Sequence, residues 1–452
     1  MNQQTMFLQT PPAKLFFMAA IPGAIGMLAS ALYQLADGIL VGQFLDGTAF
    51  AALNLAMPFV IINFALADLI GVGSSVPISI ALGQGRDKQA NNYFTCACLM
   101  IFTAGILVGA GMFLASPGLI ALMGAEGRFA ELAVQYLRVY ALCSPVTTIV
   151  FATDNYLRIC GQIKGSMYLN ILMSVLSAGL EFLFLGVFHW GIWAAALGTC
   201  LGMMVCAVIA LAPFALGRMK LRFCHPRFSL DLVRRIVSCG LPTFLNNVAG
   251  RITSILMNML LVRLGGEMAV SVYGVLMYAD GFIQPILYGT CDSLQPAVGY
   301  NWGAGRFGRC RAIEKCCMRA AMVLNAAALV VIALFPEQIA GLFLADADTA
   351  GMAMAAGALR LFSLTYLTRW FSFWVQSYLL AVEKAVPATI ISISTALIFP
   401  VLLLAALWPL GLTGIWLNFA GTAVLAGILA AILLRREWPD LSRTDAPVQA
   451  DP

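Results

Sequence analysis

The chain has 452 residues, 61% hydrophobic and 10% charged, with a mean hydropathy of +0.89 and a formal net charge of +5. Water-soluble domains carry about 25% charged and 45–50% apolar residues, so the composition excludes a soluble globular fold. It predicts an all-α polytopic membrane protein.

The opening run, Met1 to Ala13, is polar and lacks a charged n-region and a small-residue cleavage site, so no cleavable leader is expected. Charges and Gly/Pro turns then cut the chain into twelve apolar segments, at 15–44, 49–82, 91–115, 131–160, 166–188, 191–216, 232–262, 268–302, 312–335, 352–382, 387–408 and 411–434. Each meets the roughly 20 residues that a spanning helix needs. The first carries one acid, Asp37. Near a helix centre an aspartate costs about 2.5–3.5 kcal/mol, so it needs a partner, a water cavity or a function.

The basic residues set the expected orientation. Arg128, Arg138 and Arg263 lie at or near one set of loops, and Arg251, Arg360 and Arg369 lie inside spans. The remaining 20 of the 26 Lys and Arg lie on the other side, together with both termini. The positive-inside rule makes that side cytoplasmic. Basic residues spread over seven inner segments do not form a nucleic-acid surface. Twelve cysteines fall within apolar segments or in inner basic loops, and His189 and His225 are expected on opposite faces. Neither a disulfide framework nor a metal site is expected, and the cysteines read as packing residues.

The second half restates the first at an offset near 220. Ile21-Pro22 answers Leu241-Pro242, Gly83-Gln84-Gly85-Arg86 answers Gly303-Ala304-Gly305-Arg306, and Leu137-Arg138-Val139-Tyr140 answers Leu359-Arg360-Leu361-Phe362. An even number of spans per half gives both halves one orientation, so the expected fold is two six-helix lobes related by a pseudo-two-fold along the membrane normal. The expected divisions are a cytoplasmic tail (1–14), an N-terminal lobe (15–216), a cytoplasmic linker (217–231), a C-terminal lobe (232–434) and a cytoplasmic tail (435–452).

Ionisable residues in mid-span carry the functional signal. Asp37 and Glu181 each sit about seven residues from the outer end of their spans, Thr199 about eight residues into span six, and Ser177 one turn below Glu181. All four fall roughly 10–17 Å beneath the outer surface at 1.5 Å per residue. Two acids and two hydroxyls at one depth form a candidate cation-coupling site, for a proton or for a sodium ion held by oxygen ligands. In the second half Arg251 and Asp280 have opposite charge near mid-membrane and read as a structural ion pair. Asp292, Arg369 and Glu383 read as inner-end residues, paired or solvated, and Asp154 and Arg158 as an i,i+4 pair. Pro22 shares a helix with Asp37 and is a candidate hinge.

These residues resemble the multidrug and toxic compound extrusion (MATE) family over roughly residues 15–435. The most specific marks are Pro22 followed by Ala36-Asp37-Gly38-Ile39-Leu40-Val41-Gly42, and the paired turns after spans two and eight. Leu294-Gln295-Pro296-Ala297 with Gly299-Tyr300-Asn301-Trp302-Gly303-Ala304-Gly305, and Gly191-Ile192-Trp193-Ala194-Ala195-Ala196-Leu197-Gly198-Thr199, are also similar to family signatures. The resemblance implies two six-helix lobes in a V and cation-coupled antiport of amphipathic, often cationic, compounds. It matches Asp37 to the family's span-one aspartate and Thr199 to its span-six threonine. Ser177 and Glu181 stand where span five usually has Asn and Asp. Some members carry an acid in span seven, where this chain has Asn246, Asn247 and Arg251, so a second cation site there is not expected.

The expected function is therefore a secondary antiporter exporting amphipathic, cationic small molecules by alternating access in exchange for protons or sodium. It is expected to be no enzyme, to need no cofactor beyond the coupling ion, to bind no nucleic acid, and to act as a monomer in the plasma membrane. Two other readings were weighed. A flippase for lipid-linked precursors would want a cluster of cavity cations, for which only Arg251 and Arg369 qualify. An intramembrane enzyme would want acid pairs at a mouth, and Asp346-Ala347-Asp348 is the nearest approach.

Overall fold

The computed structural model describes residues 3–343 and 349–445. Asp346 and Asp348 lie outside the described residues. A short helix, Gln3–Gln9, precedes the spans. In the first half the spans are α1 (Pro12–Phe44), α2 (Gly47–Gly83), α3 (Asp87–Leu122), α4 (Gly127–Ile159), α5 (Ile163–Val187) and α6 (Ile192–Ala215). A single helical stretch then runs for 74 residues, Leu230–Gly303. At 1.5 Å per residue it would be about 110 Å long, several times the ~30 Å hydrocarbon thickness. It divides at Gly266, whose φ of 64° and ψ of −156° are open only to glycine. The two pieces are α7 (230–265) and α8 (267–303). They are followed by α9 (Phe307–Leu334), α10 (349–381), α11 (Ala385–Ala406) and α12 (Leu412–Leu441). The described chain thus has twelve spans.

The chain forms two compact units, one holding Ile25–Phe244 with the leading short helix, the other Thr10–Ala24 and the chain from Leu245 onward. The first half of α1 and the first half of α7 therefore each pack with the other half's helices. The two crossover points, 24/25 and 244/245, are 220 residues apart. The first unit's core gathers Leu53, Tyr136, Leu137 and the alanines 194–196, and the second's gathers Met257, Leu276, Leu359, Phe362 and Trp416. Outward positions are also apolar, with Leu114 at 78% and Val175 at 66% exposure. Such a surface suits hydrocarbon and not water.

The repeat is visible in detail at the ends of α2 and α8. Gly85 and Gly305 take φ of 72° and 71°. Around them the amides of Arg86 and Arg306 reach back to the carbonyls of Ala81 and Asn301, at 2.8 and 2.9 Å. This is the six-to-one closure of a glycine-terminated helix. Fourth spans are broken at matching places. α4 is interrupted at Thr148, and α10 passes through a 3₁₀ turn, Leu364–Leu367, before Arg369.

After its sixth span, each half sends a strap back to the first turns of its third. In the first half the Arg222 amide donates to Asn91 (2.9 Å), the Cys224 amide to Thr95 (3.0 Å) and the Arg227 amide to Asn92 (2.8 Å), while Lys220 pairs with Asp87 (2.6 Å). In the second half Arg311 donates to the carbonyls of Leu441 and Arg443, at 2.9 and 3.0 Å, and the Gly308 amide donates to Asp445.

Candidate functional site

The first unit brings Asp37, Ser177, Glu181 and Thr199 together. α1 supplies Tyr33 and, one turn on, Asp37; α5 supplies Ser177 and, one turn on, Glu181; α6 supplies Thr199. The close approach of α5 and α6 rests on Gly198 and Gly202, one turn apart on α6. A Cβ at 198 would lie 2.9 Å from the Glu181 amide nitrogen, and one at 202 would lie 2.2 Å from Ser177 Oγ. This small-residue stripe lets the two backbones nearly touch, as interhelical packing in lipid favours. Gly202→Ala is expected to cost about 1–3 kcal/mol by overpacking, measured as a fall in the thermal midpoint of the purified protein. An unchanged midpoint would show that the helices are not held this closely.

All four side chains are buried, with Glu181 and Ser177 fully enclosed. Ser177 Oγ donates to the Thr199 carbonyl at 3.4 Å, and Thr199 Oγ1 donates to the Ala195 carbonyl at 3.3 Å. The Tyr33 hydroxyl is hydrogen-bonded to Thr199 Oγ1. Tyr136 and Tyr140 of α4, with ring centroids 5.2 Å apart, line the same space. The carboxyl groups of Asp37 and Glu181 are neighbours, yet Asp37 Oδ1 and both Glu181 oxygens have no hydrogen-bond partner among the described residues. Buried polar oxygens are nearly always satisfied. Two adjacent buried carboxylates also repel strongly unless a positive charge lies between them. Their oxygens, with those of Ser177 and Thr199, suit a proton or a hard oxygen-seeking cation such as sodium.

The three tyrosines were not anticipated. Tyr33 precedes Asp37 by four residues, and Tyr136 and Tyr140 are also four apart, so helical spacing was the signal available. Asp68 of α2 was also passed over. It neighbours Asp154, which pairs with Arg158 at 2.5 Å and accepts from Ser166 and from Asn170 (2.8 Å). Arg158 also donates to Ser166 at 2.9 Å, so Asp154, Arg158, Ser166 and Asn170 form a hydrogen-bonded network beside Asp68.

In the second unit the expected Arg251–Asp280 pair is corrected. Asp280 pairs with Arg369 at 2.7 Å and accepts from the Tyr366 hydroxyl at 2.8 Å. With its amide turned so that both ends are satisfied, Gln284 bridges the two, its nitrogen 3.2 Å from Asp280 and its oxygen 2.9 Å from Arg369. The break in α10 turns Arg369 toward α8. Arg251 lies beside Tyr273 and makes no ion pair among the described residues. Pro22 lies within continuous helix, two residues before α1 passes from one unit to the other.

Comparison with known proteins adds the following. The MatE family model matches twice, over residues 22–183 and 242–404, so its two starts are also 220 residues apart. The chain is similar to the multidrug export protein MepA of Staphylococcus aureus (strain MSSA476), 27% identical over 448 residues and 96% of each chain. Among solved structures, a MATE in complex with MaL6 superposes with a TM-score of 0.91 at 23% identity, covering 98% of this chain and 99% of that one. An outward-facing conformation of a multidrug resistance MATE family transporter of the MOP superfamily does so with 0.91 at 24%, covering 97% and 98%.

Proposed function

We propose, for a chain that belongs to the MatE family of multidrug efflux transporters, that it is an antiporter exporting amphipathic, cationic small molecules in exchange for protons or sodium. The observation that carries the coupling is the enclosed carboxyl pair, Asp37 and Glu181, three of whose oxygens have no hydrogen-bond partner among the described residues. A proton or a sodium ion would satisfy them, and the hydroxyls of Ser177 and Thr199 complete an oxygen-rich shell. In the outward-open state the cation enters this shell and weakens the hold on the exported compound. Return to the inward-open state releases the cation inside. The strong bias of basic residues supports a plasma-membrane orientation with both termini cytoplasmic. Arg369 is engaged by Asp280, so of the two cations a flippase reading would use only Arg251 makes no ion pair among the described residues, which weighs against a flippase of anionic lipid precursors.

The test is efflux of a panel of cationic dyes from liposomes holding the purified protein, with a proton or a sodium gradient imposed separately. One of the two gradients is expected to drive efflux. If dye leaves at the same rate with neither gradient imposed, the antiport reading fails.

A further inference from the structure

We infer that the strap between α6 and α7 is a binding site for anionic phospholipid. Residues 216–230 contain Arg218, Lys220, Arg222 and Arg227 and no acid. Lys220 is taken by Asp87. The guanidinium groups of Arg218, Arg222 and Arg227 are exposed and make no ion pair or side-chain hydrogen bond among the described residues. Interleaved with them are large apolar side chains turned outward: Leu216 at 64%, Phe223 at 45%, Phe228 at 54% and Leu230 at 83% exposure. Alternating basic and aromatic groups directly between two spanning helices match the boundary between headgroups and acyl chains. Water alone would satisfy the arginines and leave four large apolar groups uncovered; hydrocarbon alone would do the reverse.

The strap is also preorganised. Backbone bonds to Asn91, Asn92 and Thr95 fix its path, Leu221 is fully buried beneath it, and the ring of Phe223 rests 4.9 Å from that of Phe94. A fixed backbone spares the bound state much of its ordering cost. Guanidinium groups are suited to phosphate because their planar donors can engage two oxygens at once.

The equivalent strap at the end of the second half differs over its described residues, 442–445. There Arg443 pairs with Asp440, and Arg311 of α9 donates to the carbonyls of Leu441 and Arg443. Among the described residues the second strap's one arginine is thus paired, whereas Arg218, Arg222 and Arg227 of the first make no ion pair. The occupant is a lipid headgroup and not free phosphate, because the apolar side chains need acyl chains beside the anion.

The test uses the full-length protein in detergent, titrated with phosphatidylglycerol, phosphatidylcholine or inorganic phosphate, with bound lipid counted by native mass spectrometry. Phosphatidylglycerol is expected to bind in preference to phosphatidylcholine. The triple variant Arg218→Gln, Arg222→Gln, Arg227→Gln should bind it about a hundredfold more weakly, from a contribution of about 1 kcal/mol per basic residue. The corresponding triple lysine variant should keep most of the binding. Equal retention of the two lipids by the unaltered protein overturns the inference, whatever the variants do. So does competition by phosphate alone at matched concentration, or full binding by the glutamine variant.

Discussion

Asp37→Asn is expected to reduce cation-driven dye efflux to the level of protein-free liposomes while leaving expression, helicity and the thermal midpoint intact. The amide matches the carboxylate in size, so the packing of α1 against α5 and α6 is kept. What it loses is the capacity to take up and release a proton, or to neutralise a metal cation. Stability is expected to hold or rise, because the amide removes a potential charge beside Glu181 from an enclosed site. Glu181→Gln should have the same effect on transport. The double variant should be no worse than either single one, since groups that act as a unit do not lose activity additively. Efflux by Asp37→Asn at the unaltered rate under the same gradient would remove this residue from the coupling step. Loss of protein together with loss of efflux would mark Asp37 as structural.

Arg369→Met should be among the most destabilising single changes in the second unit. Asp280 is enclosed, and its charge is balanced by Arg369 at 2.7 Å, with Tyr366 and Gln284 completing its hydrogen bonds. Removing one partner of a buried pair leaves the other uncompensated, at a cost of about 3–5 kcal/mol. Methionine keeps the length and apolar stem of the arginine, so the loss is one of charge and hydrogen bonding more than of volume. Adding Asp280→Leu should restore most of the stability, because an apolar pair replaces an ionic one at little net cost. Thermal unfolding of the single and double variants reads both effects. If the single variant melts with the unaltered protein, the pair does not hold the unit together; if the double variant melts lower still, each residue has a separate role.

The contrast between these two sites explains what could be read from the sequence. Depth follows from a fixed rise per residue, so Asp37, Glu181, Ser177 and Thr199 could be placed on one level before any coordinates. Direction around each helix axis does not follow from a count. By depth Arg251 matched Asp280 while Arg369 read as an inner-end residue, yet it is Arg369, just after the 3₁₀ turn, that pairs with Asp280. That turn contains no proline to announce it, whereas α4 has Pro145 just before its own break at Thr148. The helix ends were legible where glycine was required, as at Gly85, Gly266 and Gly305. Tyr33, Tyr136 and Tyr140 were not, because aromatic residues are common on lipid-facing, core and cavity positions alike. Asp68 was missed because its one charged neighbour, Asp154, was read as already paired with Arg158.

The exchange of first half-helices between the two units bears on how the protein is made. Thr10–Ala24 leaves the ribosome first but belongs to the unit whose other members are synthesised last. The N-terminal half can therefore insert its six helices, but its leading segment meets native neighbours such as Gly289 and Ser293 only once α8 has been made. The first unit, by contrast, has all its members as soon as the Leu230–Phe244 portion of α7 is made. The units therefore do not coincide with the halves of the repeat, although each half repeats the other. An ancestral half-length protein with this arrangement would have been an interlocked pair of identical chains, each lending the start of its first helix to its twin.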